Sequence, residues 1–301
     1  MRMTTTVPGV RPPAVAGAFY PAGRAELDRL VDRCLVEAAR IERPGRGPAP
    51  PAASLVGLLV PHAGLVYSGA VAAAAWHRLE GDPPASIVLL GTNHRAGWLD
   101  GVGAWETGAW TTPLGQLPVD EALAEAVVAL GTPFAVDRPA HLGEHSIEVQ
   151  LPFVARLAGD ALIVPLAVSA GTAGRAIEAG TRLGMLLAAH RAAGRRIVLA
   201  ISTDAAHYPP AWLGEAVNDR LAPAIEAVDP IAVAAVEAAV VAEGGPGLVC
   251  GMCGIEPTVL GLAALRAMGV TRGRIEAAAT SADVGAERDR TVGYLGATFT
   301  L

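Results

Sequence analysis

Short apolar runs alternate along this chain with longer segments whose apolar positions recur every three or four residues. Runs such as Leu55–Val60 and Ile197–Ile201 are dense in branched aliphatic side chains and have the length of buried strands. The pattern predicts strands at 55–60, 86–90, 162–168, 196–202, 274–280 and 293–300. It predicts helices at 24–40, 69–80, 119–130, 146–158, 173–193, 213–226, 229–242 and 256–268. Strands that are apolar on both faces belong in a covered, largely parallel sheet, and their alternation with helices points to an α/β fold. The expectation is a single domain over 1–301, with a central mostly parallel or mixed sheet flanked by helices. Residues 1–12 are expected as a flexible N-terminal arm, and the Pro-rich stretch 43–53 as a loop too early to divide domains.

Composition narrows the function classes. With 301 residues, 52% of them hydrophobic, the chain can bury a large core. A net charge of −6 and no cluster of Lys and Arg argue against a nucleic-acid partner. The opening MRMTTTVPGVRPP has no apolar signal core. The longest nearly apolar stretch, Ala232 to Ala242, is too short to span a membrane and contains Glu237. Three cysteines do not make a disulfide framework. A cytoplasmic protein with neither nucleic acid nor membrane as partner is expected.

The ends of the predicted strands carry the candidate chemistry. After 55–60 comes Pro61-His62, after 86–90 comes Gly91-Thr-Asn-His94, and after 196–202 comes Thr203-Asp204-Ala-Ala-His207. Ligands of open α/β sheets bind at this carboxyl edge, where loops converge. Any one of these histidines alone could simply satisfy loop backbone groups. Three of seven at one edge argue for a shared site. Histidines grouped with a carboxylate or thiolate suit a metal.

A cysteine pair sits in "VCGMCGIEP", residues 249–257, where Cys253 directly precedes a predicted helix. A helix N-terminus favours a thiolate, so Cys253 is a candidate ligand. The Cys250-x-x-Cys253 spacing also permits a redox dithiol, or two inert buried thiols. A four-cysteine zinc site is excluded, because only Cys34 remains. In "HLGEHSIEVQLPF", residues 141–153, Ser146 reads as a helix N-cap and Glu148 as a first-turn acid. Glu144 and His145 fall before that helix and are equally open to a structural or a catalytic role.

These stretches resemble the Memo family, and most closely its prokaryotic branch, AmmeMemoRadiSam system protein B. The resemblance rests on "VAGAFYPA" (15–22), "PHAGLVYSG" (61–69), "LLGTNH" (89–94), "TPLG" (112–115), "EHSIEVQLPF" (144–153), "STDAAHY" (202–208), "CGIEP" (253–257), and "TSADVG" through "VGYLGATF" (280–299). It covers essentially the whole chain, and the motifs run in the family's order. It implies a fold like that of the class III extradiol dioxygenases. It also implies metal ligation by His62, His94 and Cys253, with Asp204 and His207 matching the family's Asp and His. Two departures stand out: Thr203 separates Ser202 from Asp204, and Ile255 replaces an arginine.

The implied activity is that of a non-haem metal-dependent redox enzyme of dioxygenase type, acting on a small-molecule or peptide substrate. A non-catalytic metal- or peptide-binding partner protein is the alternative, working beside AMMECR1-like and radical SAM proteins. Fe(II) is favoured as the metal, with Cu second and Zn third, since a thiolate in place of a carboxylate shifts preference toward softer ions. The residues expected to carry chemistry are His207 as general acid/base, with Asp204, Glu144 and His145.

Overall fold

The computed structural model describes residues 9–41 and 54–301. Its strands are β1 (Val10–Arg11), β2 (Leu55–Val60), β3 (Ser86–Thr92), β4 (Gly101–Ala104), β5 (Ala109–Thr112), β6 (Gly115–Pro118), β7 (Phe134–Val136), β8 (Leu162–Ser169), β9 (Ile197–Ser202), β10 (Gly273–Thr280) and β11 (Gly293–Thr300). Its α-helices are α1 (Arg24–Ile41), α2 (Leu65–Trp76), α3 (Glu121–Val128), α4 (Leu151–Leu157), α5 (Ala173–Ala192), α6 (Ala211–Glu226), α7 (Pro230–Glu243) and α8 (Ile255–Ala267).

All six strands expected from apolar runs form, and they lie together in an eight-stranded sheet ordered β10-β11-β2-β9-β3-β8-β4-β7. Its centre, β2-β9-β3-β8, is parallel throughout. On one side β11 runs antiparallel to β2, and β10 antiparallel to β11. On the other, β4 runs antiparallel to β8. The mixed α/β fold expected from the sequence is therefore present. A second sheet, β1-β5-β6, has no counterpart in the sequence pattern, because strands of two to four residues are too short to show a period.

Helices cover both faces of the large sheet. A side-chain carbon added to Gly57 of β2 would strike Leu265 of α8, whereas one added to Gly296 of β11 would strike the Val71 carbonyl of α2. The register pairs Ala297 with Leu59, so Gly57 and Gly296 point to opposite faces, and so α8 and α2 lie on opposite sides. Outside α8 comes α5, whose Gly180 and Gly184 have no room for a side chain against the carbonyls of Leu260 and Ala264. One continuous apolar core joins these layers, from Leu27 of α1 to Phe299 of β11.

Several expectations near the site need correction. Helix α2 starts at Leu65, not 69, and α4 at Leu151, not 146, preceded by a tight turn over Glu148–Gln150. Ser146 is therefore no N-cap; its hydroxyl donates to the Thr92 carbonyl. Glu148 is no exposed first-turn acid either. It is fully buried, ion-paired to Arg11 at 2.7 Å, and accepts from Ala14 N, Val15 N and the Tyr20 hydroxyl. Of the arm expected over 1–12, residues 1–8 lie outside the described residues, but Val10–Arg11 forms a strand and Arg11 is buried. The loop expected at 43–53 also lies outside them. Among the described residues no helix is long and apolar enough to cross a membrane.

Candidate metal centre

Strands β2, β9 and β3 are parallel neighbours, so the residues that follow them leave the sheet at one edge. This places His62, the Ser202-Thr203-Asp204 segment and His94 side by side. Helix α8 points its first turn at the same edge and carries Cys253 just ahead of its Gly254 cap. The Gly254 N–H donates to Thr203 Oγ1 at 2.9 Å, and a side-chain carbon on Gly254 would come within 2.5 Å of that oxygen. Thr203 thus pins the cysteine loop to the end of β9. At the end of β3, Gly91 leaves its face bare, which admits Ser146 and Ile147 from the loop before α4.

The buried His62 has its tautomer dictated by a chain of hydrogen bonds. Trp76 Nε1–H can only donate, and it does so to Gln150 Oε1 at 3.0 Å. The Gln150 amide nitrogen therefore faces the other way and donates to the Pro61 carbonyl and to Ser202 Oγ. The single Ser202 hydroxyl proton goes to the Ser146 carbonyl at 2.6 Å. Ser202 Oγ is left to accept from His62 Nδ1 at 3.0 Å. His62 Nε2 consequently carries a bare lone pair, and it lies 3.3 Å from Cys253 Sγ. Burial and the nearby His145 and His94 rings hold the His62 pKa well below the usual imidazole range, so the ring stays neutral.

Glu144 does for His94 what Ser202 does for His62. Its carboxylate accepts from His94 Nδ1 at 2.9 Å and from the backbone N–H groups of His94, His145 and Ser146. Burial alone would raise its pKa, but the His94 hydrogen bond and the backbone donors hold it far below the usual carboxylate range. With Nδ1–H donated to Glu144, His94 Nε2 is free. A carboxylate behind a ligand histidine is a common orienting arrangement at metal centres.

Asp204 also serves the backbone: its Oδ1 accepts from His62 N at 2.6 Å and Ala63 N at 3.1 Å, holding the turn that carries His62. Burial pushes its pKa up, against the pull of His207 and these N–H groups. His207 takes its orientation from the Ala205 carbonyl, to which Nδ1 donates at 2.8 Å, and not from Asp204. The next residue, Tyr208, has a φ of 70°, an uncommon conformation for a side-chain-bearing residue, with Arg290 stacked 3.8 Å over its ring. Burial raises the Cys253 thiol well above its usual value, the opposite of what a helix N-terminus alone predicts. Cys250 is raised to about 11 for the same reason. The two thiols are unbonded to each other.

Two groups of potential ligand atoms, each within 4.8 Å of one another, occur among the described residues: His62 with His94 and His145, and His62 with Asp204 and Cys253. His62 is shared. The sequence-selected trio His62, His94 and Cys253 is thus drawn to one edge, but as neighbours on either side of His62. The donor set fits a transition metal: bare imidazole nitrogens and a thiol whose proton a cation would displace. Sequence reasoning did not find Gln150, Trp76 or Arg11. A glutamine among apolar neighbours in 147–154 was the one visible hint.

The sequence model of Memo-like proteins matches residues 11–298. The chain belongs to the Memo-like family. It is 36% identical to a MEMO1 family protein of Methanothermobacter thermautotrophicus over 95% of this chain and 98% of the relative. It is also 36% identical to one from Thermotoga maritima, with the same coverage of each. A solved structure of an uncharacterized Escherichia coli K12 protein matches 80% of this chain and 99% of its own, at 19% identity and a TM-score of 0.48.

In this Memo-like protein the motifs quoted from the sequence become a spatial list. "PHAG" supplies the His62 turn, "LLGTNH" the His94 turn, and "EHSIEVQ" the Glu144 carboxylate, the His145 ring and the Gln150 relay. "STD" supplies the serine behind His62 and the carboxylate under it.

Proposed function

We propose that this Memo-family protein is a non-haem metal-dependent redox enzyme of dioxygenase type, related in fold to the class III extradiol dioxygenases. The supporting observation is the bare His62 Nε2, 3.3 Å from Cys253 Sγ and grouped with His94 at the carboxyl edge of the sheet. His62, His94 and Cys253 would hold the ion, with Fe(II) favoured, Cu second and Zn third. A bound Fe or Cu ion supplies redox chemistry toward dioxygen and an oxygen-bearing substrate. The substrate is a small molecule or a peptide group that reaches the site on the side where His94 is exposed.

The protein's own groups divide the remaining work. His207, with Nδ1–H given to Ala205, presents Nε2 as a proton acceptor and is the general acid/base of the site. Both Glu144 oxygens are taken up by N–H donors, which suits orientation and not proton transfer, while Asp204 Oδ1 holds the His62 turn.

That same saturation favours a second reading, a metal- or peptide-binding partner working with AMMECR1-like and radical SAM proteins. Anaerobic purification, metal analysis and an oxygen-uptake screen with catechols separate the two. Bound iron or copper with substrate-dependent uptake supports the enzyme. Bound metal without uptake across the screen overturns it in favour of the partner protein.

A further inference from the structure

Resting on that reading of the site, we infer that His145 is a third imidazole ligand, so that the centre is built from three histidines and one thiolate.

Its ring is placed for this by contacts on every side. One face stacks on His94, with ring centroids 4.6 Å apart and planes 23° from parallel. Phe19 also packs on this ring, with centroids 4.5 Å apart and planes tilted by 38°. Its plane stands at 90° to that of His62, with centroids 5.3 Å apart. The His145 backbone N–H is fixed by Glu144 at 2.8 Å. Phe19 comes from the "AGAFYPA" stretch, whose Phe19 carbonyl also accepts from Leu65 N at the start of α2. The ring is thus held by a histidine and a phenylalanine, which removes the rotamer freedom that ligation would otherwise cost.

The three rings bring one nitrogen each to within 4.8 Å of one another. Two of those nitrogens have defined character: His62 and His94 give their Nδ1 protons to Ser202 and Glu144. His145 differs in having a buried ring nitrogen, Nδ1, with no hydrogen-bond partner. This nitrogen lies 3.2 Å from Glu144 Oε1, out of line for a hydrogen bond. Buried polar atoms are rarely left without a partner, so this one marks a ring whose surroundings are incomplete. Ligation through the ring would polarise its N–H and tighten that contact to Glu144, the arrangement His94 already has.

Cys253 enters from the far side of His62 and shares no group of mutually close ligand atoms with His94. An ion seated against the three imidazoles would meet the Cys253 thiolate as a fourth, separate donor. The proposal therefore assigns the ion mainly to nitrogen, with sulfur as the adjustable ligand. Loss of the thiol should leave a working three-nitrogen site, whereas a His/His/Cys set would be left with two ligands.

Cobalt(II) titration of the full chain, read by visible absorption, tests this. Wild type should bind with a thiolate-to-cobalt charge-transfer band. Cys253→Ser should lose that band and still bind cobalt. His145→Ala should keep the band but weaken binding at least about tenfold, the lower end of the loss seen even for residues that merely orient ligands. His145→Phe, which keeps the ring stack with Phe19 and His94, should weaken it equally. X-ray absorption of the cobalt-loaded wild type needs no variant and should count three imidazoles and one sulfur. Two imidazoles there, or unchanged affinity in both His145 variants, overturns the third ligand while leaving the proposed metal enzyme standing. A wild type that binds no cobalt overturns both.

Discussion

The Ser202 hydroxyl accepts from His62 Nδ1 because its own proton is already committed to the Ser146 carbonyl. One serine thus joins strand β9, the turn after β2 and the loop before α4 and decides which nitrogen of His62 is bare. Ser202→Ala leaves His62 Nδ1, Gln150 Nε2 and the Ser146 carbonyl without this partner. Unfolding free energy in urea should fall by about 1–3 kcal/mol. Metal affinity should fall roughly 10–100-fold. An unchanged affinity would show that the tautomer is set some other way.

Metal binding should release protons in a countable way. Burial keeps the Cys253 thiol protonated in the ion-free site, while His62 and His145, both lowered, are already neutral. At about pH 7.5, calorimetric titration in two buffers of different ionisation enthalpy should give about one proton per ion, from Cys253. Cys253→Ser should give close to none. Equal release by both proteins would remove Cys253 from the coordination sphere.

Acid should weaken the chelator-treated protein through its buried histidines. Burial lowers His141 and His145 from 6.5 to about 4. Between those values the unfolded chain takes up protons that the folded one refuses, so stability is complete above pH 6.5 and declines as the pH falls toward 4. The buried carboxyls Asp204 and Glu237 are raised and pull the other way. The comparison that isolates the effect is His141→Phe, which cannot titrate among Trp105 and Trp110. Its urea midpoint should decline less than that of wild type over this range.

Removing one half of the buried Arg11–Glu148 pair should be costly. Arg11 also donates to the carbonyls of His141 and Glu144, and its guanidinium lies 4.1 Å over the Trp110 ring. Arg11→Met should lose about 3–5 kcal/mol, because Glu148 is left charged and buried. Adding Glu148→Leu should recover only part of this, since Ala14, Val15 and Tyr20 then lose their acceptor. Full recovery in urea unfolding would mean that those three donors contribute nothing.

The two cysteines should separate cleanly. Cys250 belongs to neither group of ligand atoms, and its carbonyl pairs with His207 N in a short bridge. Cys250→Ser should retain metal content and the thiolate band under reducing conditions, and Cys253→Ser should lose the band. Equivalent behaviour would favour a redox dithiol.

The central sheet was legible because β2, β3, β8 and β9 are apolar on both faces, a pattern that survives without any tertiary knowledge. His62, His94 and Cys253 were legible because strand ends and a helix start announce their edge. The short strands β1, β4, β5, β6 and β7 were not, since four residues or fewer leave no period to read. Nor could local pattern reveal that Glu148 serves Arg11, 137 residues away, rather than its own helix dipole. Glu144 was open to a structural or a catalytic reading for the same reason: the His94 side chain and backbone that it accepts from lie 50 residues away.

The threading of β2 has a consequence for how the protein comes into being on the ribosome. This early strand is hydrogen-bonded on one side to β9 and on the other to β11, the last of the described strands. His62 and Cys253 are 191 residues apart, so no nascent fragment that ends before Cys253 carries all the donors of the centre. Long-range pairing of this kind completes late. On the proposed reading, an ion would be acquired by a folded chain, through the side where His94 is exposed, and its delivery would be open to control separate from synthesis.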